Sequence, residues 1–312
     1  MTTFRGRTVV LDRCTVEHGR CYRYCPMTEF DPGAASELVF DRPHEAEALG
    51  HLDRVISSQA ADPVLAASGQ GGGSVTALML LALEEGSIDS AVLTRILPGE
   101  EYPRGVVATT AEEVRAAAGS KFVGSHSLAA VRQALDAGCR RIGVVALPCQ
   151  VRSLRKMALY DLKQENLKER IALVVGLFCN WAFSSRDFSA FLAPRFGRTA
   201  IKRFQIPPPP ANVLEVETEA GPARVSLDQL RPLIQEACRI CPDMTSEFAD
   251  VSVGMYEGMP AWNTLIVRSP LGMRLIEGAV RTERLRTDVF PDSNLEHLKN
   301  ASLQKRKRAL QA

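Results

Sequence analysis

The sequence has little net charge and no long apolar segment. Its 38 Lys and Arg residues against 36 Asp and Glu leave a formal charge of only +2, so a broad basic surface for nucleic acid is not expected. No uninterrupted apolar stretch approaches the ~20 residues that a membrane-spanning helix requires. The N-terminus is polar and basic, with no apolar segment behind it. We therefore expect a cytoplasmic protein with no transmembrane segment and no nucleic-acid partner.

One basic run, Lys305 to Arg308, lies near the C-terminus. We interpret it as the solvated end of a charged helix, and the alternative is a tail that docks on an acidic partner.

Strand-like and helix-like segments alternate through the middle of the chain, which is typical of an α/β fold. The class predicted is α/β, with a mixed, largely parallel sheet core, flanking helices and a small N-terminal iron–sulfur extension. The predicted helices cover residues 44–57, 75–85, 111–118, 127–137 and 151–159. The predicted strands cover residues 90–97, 105–108, 141–147 and 171–178, and a hairpin is expected over residues 213–225.

Cysteine is the most informative residue type in this chain. Eight cysteines in a reducing compartment indicate metal ligands rather than disulfides. Cys149 and Cys179 each follow an apolar strand, and the carboxyl ends of parallel strands meet at one edge of a sheet. Cys238 and Cys241 form a CxxC turn that precedes a proline, a spacing that lets two thiolates bind one centre. Together these four match the number of thiolates that a [4Fe-4S] cluster requires.

Three alternatives remain open for these cysteines. Cys149 and Cys179 are also compatible with buried core residues. The quartet would equally suit zinc, and thioredoxin-like chemistry at Cys238 is a weaker third alternative. Cys139 precedes a strand and is interpreted as structural.

The N-terminal region resembles a degenerate ferredoxin motif. Cys21 and Cys25-Pro keep the CxxxCP ending, whereas His18 occupies the position of an expected cysteine and Cys14 is displaced. A second cluster on Cys14, Cys21 and Cys25, with His18 or an unidentified group as the fourth ligand, is the leading interpretation. Zinc and a vestigial loop are the alternatives.

A glycine-rich stretch, Gly69 to Gly73, stands before an apolar helix that Ser74 opens. Backbone N–H groups in such a loop can approach a phosphate, and the helix dipole favours the anion. The stretch departs from the dinucleotide fingerprint because Ser74 stands where the third glycine should be. A tight turn without a ligand is the alternative.

Several stretches together resemble the beta-subunit family of coenzyme F420-reducing hydrogenases and F420-dependent dehydrogenases. They span roughly residues 69–268, and their order is more specific than any single motif. The matching stretches are Gly72–Leu78, Ala117–Phe122, Leu147–Gln150 with Arg155–Met157, Gly176–Cys179, Cys238–Cys241, Ala249–Gly254 and Trp262–Thr264.

The resemblance implies FAD together with a [4Fe-4S] cluster on the four cysteines of the core. Lys121 is expected near the pyrophosphate or the N1–C2 region of the flavin, with a surface lysine at a helix end as the alternative. Gln150 is expected between flavin and cluster, and Trp262 near the flavin, unless it is a core residue. The residues expected to bind FAD are Gly71, Gly72, Gly73, Ser74, Thr76, Ser120, Lys121, Gln150, Trp262 and Thr264.

The predicted chain organisation follows these assignments. Residues 1–42 are expected to form a ferredoxin-like extension that binds a cluster, residues 43–290 an α/β domain for FAD and [4Fe-4S], and residues 291–312 a helical tail.

The function predicted is that of an iron–sulfur flavoprotein that passes electrons between a hydride carrier and a partner oxidoreductase. The carrier expected is coenzyme F420, and the partner expected is a subunit of the hydrogenase, formate dehydrogenase or heterodisulfide-reductase type. A flavin is needed because hydride carriers give two electrons at once and clusters accept one. No catalytic side chain is nominated. The alternatives are a stand-alone reductase of a tetrapyrrole or other organic substrate, and a zinc-stabilised scaffold without redox activity.

Overall fold

The computed structural model describes most of the chain: residues 2–4, 7–9, 11–17, 19–68, 71–97, 100, 102–197, 201–207 and 211–311. Of the helices in these ranges, none is both long and apolar enough to cross a membrane. Gly69 and His18, which the sequence analysis singled out, lie outside the described residues.

Strands and helices alternate through the central part of the chain. The strands described are β1 (Thr2–Phe4), β2 (Arg7–Val9), β3 (Arg54–Ala60), β4 (Ser90–Arg95), β5 (Arg104–Ala108), β6 (Ile142–Ala146), β7 (Ile171–Leu177), β8 (Ile201–Gln205), β9 (Val213–Thr218), β10 (Gly221–Ser226), β11 (Val251–Met255), β12 (Asn263–Val267) and β13 (Leu285–Val289).

Helices connect and cover these strands. They are α1 (Arg20–Arg23), α2 (Pro32–Phe40), α3 (Pro63–Ser68), α4 (Ser74–Glu84), α5 (Ala111–Ala116), α6 (Ala129–Asp136), α7 (Pro148–Tyr160), α8 (Leu167–Arg170), α9 (Ser185–Phe196), α10 (Leu227–Leu230), α11 (Pro270–Arg281) and α12 (Asp292–Leu310).

The main sheet has the strand order β13-β3-β12-β11-β7-β6-β4-β5. Its four central strands, β11, β7, β6 and β4, are parallel to one another, and the strands outside them pair antiparallel. The predicted α/β class with a mixed sheet is confirmed. The parallel centre matters for function because it brings the carboxyl ends of several strands to one edge.

Both faces of the sheet are covered by helices. Successive residues of β7 point to opposite faces, as strand geometry requires: Leu173 and Val175 pack in a cluster with Leu78 of α4, and Val174 packs on the other face with Leu154 of α7. Because β7 is buried on both sides, its sequence is an apolar run rather than an alternating one.

A smaller unit lies beside the main sheet. Strands β8, β9 and β10 form an antiparallel sheet whose core contains Phe183, Phe188, Leu214 and Leu230. The expected hairpin over residues 213–225 is therefore present as β9 and β10.

One predicted element is wrong. Residues 44–57 were expected to be helical, but β3 begins at Arg54 and lies between β12 and β13. Backbone pairing on both edges of β3 stabilises the extended form, and this tertiary effect overrides local helix propensity. The helix expected from residue 151 begins earlier, at Pro148, so that Cys149 lies in its first turn.

Candidate metal and cofactor site

Cys149 and Cys179 lie at the same edge of the main sheet. Strands β6 and β7 are parallel neighbours, with Ala146 paired to Gly176. Cys149 follows β6 in the first turn of α7, where Pro148 suits the first helical position. Cys179 comes two residues after the end of β7. The convergence expected from the strand pattern therefore has a direct basis in the sheet.

The CxxC turn is tied to the segment that follows β7. The Cys238 Sγ accepts a hydrogen bond from the Ala182 N–H at 3.4 Å, and the Cys179 N–H donates to the carbonyl of Met244 at 2.9 Å. Cys241 is buried. These links bring the CxxC turn beside the other two cysteines.

The four thiols form one electrostatically coupled group. Burial, together with the charges that Cys241 and Cys238 would carry as thiolates, raises the pKa of Cys149 to about 12. Burial also raises the pKa of Cys179, and the other three thiols add to that rise. Cys241 is buried and the other three are half-buried, and thiols grouped in this way become good ligands when a metal centre supplies positive charge. Across the ranges described, no three His, Cys, Asp or Glu side chains are spaced to hold a single metal ion.

Asp243 shapes the loop after the CxxC turn. It is buried, and its carboxylate accepts hydrogen bonds from the N–H groups of Thr245, Ser246 and Glu247. The Ser246 hydroxyl in turn donates to the carbonyl of Leu177 at the end of β7. Asp243 thus positions the loop against the strand that leads to Cys179. The signal in the sequence was an Asp directly after Cys-Pro, the residue type that caps turns of this kind.

Lys305 is the largest departure from the sequence interpretation of the site. It was expected on a solvated tail, yet it is only 3 % exposed. Its ammonium group donates to the carbonyl oxygens of Cys179 at 2.6 Å and Asp243 at 2.7 Å. The remainder of the basic run differs: Arg306 pairs with Glu247 at 2.7 Å, while Lys307 and Arg308 are exposed.

The glycine loop is packed against the protein itself. A Cβ on Gly72 would lie 2.1 Å from the carbonyl oxygen of Ala261, and one on Gly73 would lie 2.2 Å from that of Leu65. Both glycines also have positive φ, which L side chains rarely adopt. Close packing within the chain therefore accounts for these two glycines without a ligand.

Ser74 and Thr264 form hydrogen bonds within the protein. The buried hydroxyl groups of Ser74 and Ser58 form a hydrogen bond at 2.9 Å. The backbone N–H of Ser74 donates to the Asn263 side chain. Thr264 donates to the carbonyl of Met255. The Asn263 side chain also donates to the Gly254 carbonyl and so joins β11 to the start of α4. Asn263 was not among the residues expected from the sequence to bind a ligand.

Gly71, Thr76 and Trp262 lie close to these contacts. A Cβ on Gly71 would meet the Asn263 side chain at 2.5 Å and the Trp262 carbonyl oxygen at 3.2 Å. Thr76 is half-buried in the first turn of α4, and Trp262 is half-buried as well. The glycine loop and the Trp262 segment are therefore in contact.

Lys121 provides positive charge beside the glycine loop. Its ammonium group donates to the carbonyls of Ala117, Ala118 and Gly119 at the end of α5. Burial and the positive charge of Arg95 lower the pKa of Lys121 to about 8. A Cβ on Gly119 would come within 3.6 Å of the Ser68 carbonyl oxygen, so the Ser120 segment adjoins the end of α3, directly before the glycine-rich stretch.

Arg95 is a further residue that sequence reasoning missed. It ends β4, whose direction is parallel to β6 and β7, and therefore lies at the edge that carries the cysteines. In the part of the chain described, neither Arg95 nor Lys121 forms a salt bridge with a carboxylate. Two neighbouring cations without a carboxylate partner are a chemical setting that favours an anionic ligand such as a phosphate.

Two connections join the Lys121 segment to the cysteines. Phe183 pairs with Val123 on one side and with Ile234 on the other, which ties the loop after Lys121 to the chain between Cys179 and Cys238. Gln150, next to Cys149, donates to the carbonyl of Ser125 at 3.3 Å and accepts from the Leu147 N–H. Gln150 thus connects the start of α7 to the loop after Lys121, and its location between flavin and cluster stays a prediction.

The N-terminal cysteines are more open to solvent. Cys14 and Cys21 are exposed, and Cys25 is half-buried. The Cys25 carbonyl accepts a hydrogen bond from Lys156 at 2.8 Å, and the Tyr24 carbonyl accepts one from Ser153 at 2.6 Å. These contacts hold the Cys25 turn against α7, the helix that carries Cys149.

Comparison with known families identifies the chain. A model of the N-terminal part of the coenzyme F420 hydrogenase/dehydrogenase beta subunit matches residues 55–132, and one of its C terminus matches residues 139–293. The chain belongs to this family. The beta-subunit family is a family of oxidoreductases, and the resemblance seen in the motifs is thereby confirmed.

Individual members of the beta-subunit family agree with the assignment. The coenzyme F420 hydrogenase subunit beta of Methanothermobacter thermautotrophicus is 30 % identical over 84 % of this chain and 94 % of its own length. The coenzyme F420-dependent sulfite reductase of Methanocaldococcus jannaschii is 28 % identical, over 86 % of this chain and 42 % of that protein.

A solved structure also resembles the chain. A chain of the F420-reducing [NiFe] hydrogenase complex from Methanosarcina barkeri superposes with a TM-score of 0.79 and 27 % identity, and covers 86 % of this chain and 93 % of its own length. The fold is thus that of a subunit found in a redox complex.

Proposed function

We propose that the chain is an electron-transfer subunit that exchanges hydride with coenzyme F420 and single electrons with a partner oxidoreductase, through bound FAD and a [4Fe-4S] cluster. The observation that carries the proposal is the group of four buried and half-buried thiols, joined through Phe183 and Gln150 to the cationic segment of Lys121.

The thiol group supports an iron–sulfur cluster as its ligand. The four thiolates would come from Cys149, Cys179, Cys238 and Cys241. Asp243 would hold in place the loop that leads from Cys241 to β11. Iron–sulfur clusters are bound by sets of four Cys thiolates.

The cationic segment supports a flavin with a pyrophosphate group. Lys121 and Arg95 offer positive charge, and Ser120 precedes Lys121 in the chain. Helix α4 begins directly after the glycine loop, and the dipole at its N-terminus favours an anion. Bound FAD would exchange two electrons with a hydride carrier and single electrons with a cluster.

The family relatives support F420 as the hydride carrier. The names of the hydrogenase subunit and of the sulfite reductase both include coenzyme F420, and the structural neighbour is part of a hydrogenase complex. The partner proposed for this chain is correspondingly a separate redox subunit.

Anaerobic purification followed by metal and flavin analysis tests the proposal. We expect bound FAD and at least four iron atoms per chain, and we expect reduced F420 to bleach the flavin absorbance. A colourless protein that carries zinc would contradict the proposal. Bleaching by NADPH but not by reduced F420 would retain the cofactors and change the carrier.

A matched pair of cysteine variants tests the ligand assignment. Cys238→Ser should lose most of its iron, because one of four thiolates is replaced by a poorer ligand. Cys139→Ser should keep its iron, since Cys139 packs beside the core on the α6 side of the sheet. Equal iron loss in the two variants would contradict the assignment.

A further inference from the structure

The C-terminal helix inserts one charged side chain beside the cysteines. Helix α12 is polar and largely exposed, but Lys305 and Ser302 turn inward and are buried. Lysine is almost never fully buried unless its charge is compensated. The burial of Lys305 therefore needs an explanation beyond anchoring the helix.

The hydrogen bonds of Lys305 do not neutralise it. Both acceptors, the carbonyls of Cys179 and Asp243, are uncharged, and the Asp243 carboxylate is engaged by three backbone N–H groups. Among the described residues, no carboxylate forms a salt bridge with Lys305.

This ammonium group lies beside the proposed cluster ligands. Its Nζ lies 2.6 Å from the backbone carbonyl oxygen of Cys179, whose thiol is one of the four proposed cluster ligands. Four thiolates bear more negative charge than the iron–sulfide core of a [4Fe-4S] cluster neutralises, and nearby charges and hydrogen bonds set the potential of such clusters.

We propose that Lys305 supplies the positive charge that compensates the four thiolates of the cluster and thereby raises its reduction potential. This inference rests on the function proposed above. Reduction adds one electron to a buried, already anionic group, and a fixed cation beside it stabilises the reduced form more than the oxidised form. The C-terminal helix would in this way help to set the direction of electron flow.

The test uses the anaerobically purified full chain with three variants at this position. Lys305→Met removes the charge and the donor, Lys305→Gln removes the charge and keeps a donor, and Lys305→Arg keeps the charge. Lys307→Gln is the matched control, since it removes an exposed charge from the same helix. Iron content and the midpoint potential, measured by dithionite titration with EPR detection, are the two readouts.

We expect the two neutral variants to retain iron and to be reduced less readily. At a fixed potential the ratio of reduced to oxidised cluster should fall about tenfold, which corresponds to 59 mV for a one-electron couple. Lys305→Arg and Lys307→Gln should stay close to wild type. Iron loss in both neutral variants, with iron retained in Lys305→Arg, would also support charge compensation.

Two results would overturn the inference. Unchanged potentials in iron-loaded neutral variants would leave Lys305 with a purely structural role, and so would iron loss in all three variants at this position. Wild-type protein without iron would instead refute the proposed function itself, so the two failures are distinguishable.

Discussion

Gly124 donates its backbone N–H to the carbonyl oxygen of Phe183 at 3.0 Å. This bond joins the loop after Lys121 to the segment between Cys179 and Cys238, and Phe183 also donates to the Phe122 carbonyl. These two hydrogen bonds, with the pairing of Phe183 to Ile234, form a short backbone ladder between the proposed flavin and cluster sites. We therefore expect disruption of this ladder to weaken the binding of both cofactors.

Phe183→Ala should weaken both sites at once. Phe183 is fully buried and stacks on Phe188 with ring centroids 4.9 Å apart, so truncation should cost ~3–5 kcal/mol of unfolding free energy. Denaturant unfolding, with flavin and iron counts, measures the effects. Phe188→Ala is the control, because it removes a similar ring outside the ladder; it should lose stability while retaining more of both cofactors. Equal cofactor loss in the two variants would contradict a special role of the ladder.

Gly176→Ala should displace the loop behind Cys179. The new Cβ would lie 2.3 Å from the Ser246 Cβ and 2.8 Å from the Ala249 Cβ, and overpacking of this kind costs ~1–3 kcal/mol. We expect a lower Tm and partial iron loss. In contrast, Gly278→Ala in α11 would place its Cβ no closer than 3.7 Å to the Glu85 carboxylate, and it should keep its iron and gain slightly in stability. Full iron occupancy in Gly176→Ala would show that the loop does not determine cluster binding.

Lys121→Gln should weaken FAD binding and change its pH dependence. Lys121 in the ligand-free protein has a pKa lowered to about 8 by burial and by Arg95, so it is protonated below pH 8 and loses its charge above. We expect wild-type affinity to be constant below pH 8 and to fall as the pH rises further. The variant should bind about tenfold more weakly at pH 7, as for the loss of a favourable charge interaction worth ~1.5 kcal/mol, and its affinity should vary less with pH.

Fluorescence titration of the FAD-depleted protein across pH 6 to 9.5 measures these affinities. Lys168→Gln, which alters an exposed lysine of α8, should behave as wild type. A Lys121→Gln protein with wild-type affinity and an unchanged pH profile would exclude Lys121 from the flavin site.

Much of the architecture could be predicted because its signals are local. The apolar runs of β6 and β7 and the turn chemistry of the 213–225 hairpin depend on residues close in sequence, and the structure has all three elements. The helix expected over residues 44–57 was wrong because β3 is stabilised by partners more than 200 residues away, in β12 and β13. Local periodicity carries no information about such pairing.

The sequence by itself determined the family, the α/β class and the cysteines at the ends of parallel strands, because strand periodicity and motif spacing are properties of neighbouring residues. Only the tertiary structure showed that Lys305 reaches Cys179 and that Phe183 links the two proposed cofactor sites. Lys305 and Cys179 lie 126 positions apart, and nothing near a lysine in a basic run indicates which face of its helix will be buried. That choice depends on how α12 packs against the rest of the fold, where the buried ammonium group of Lys305 donates hydrogen bonds to carbonyl oxygens of distant segments.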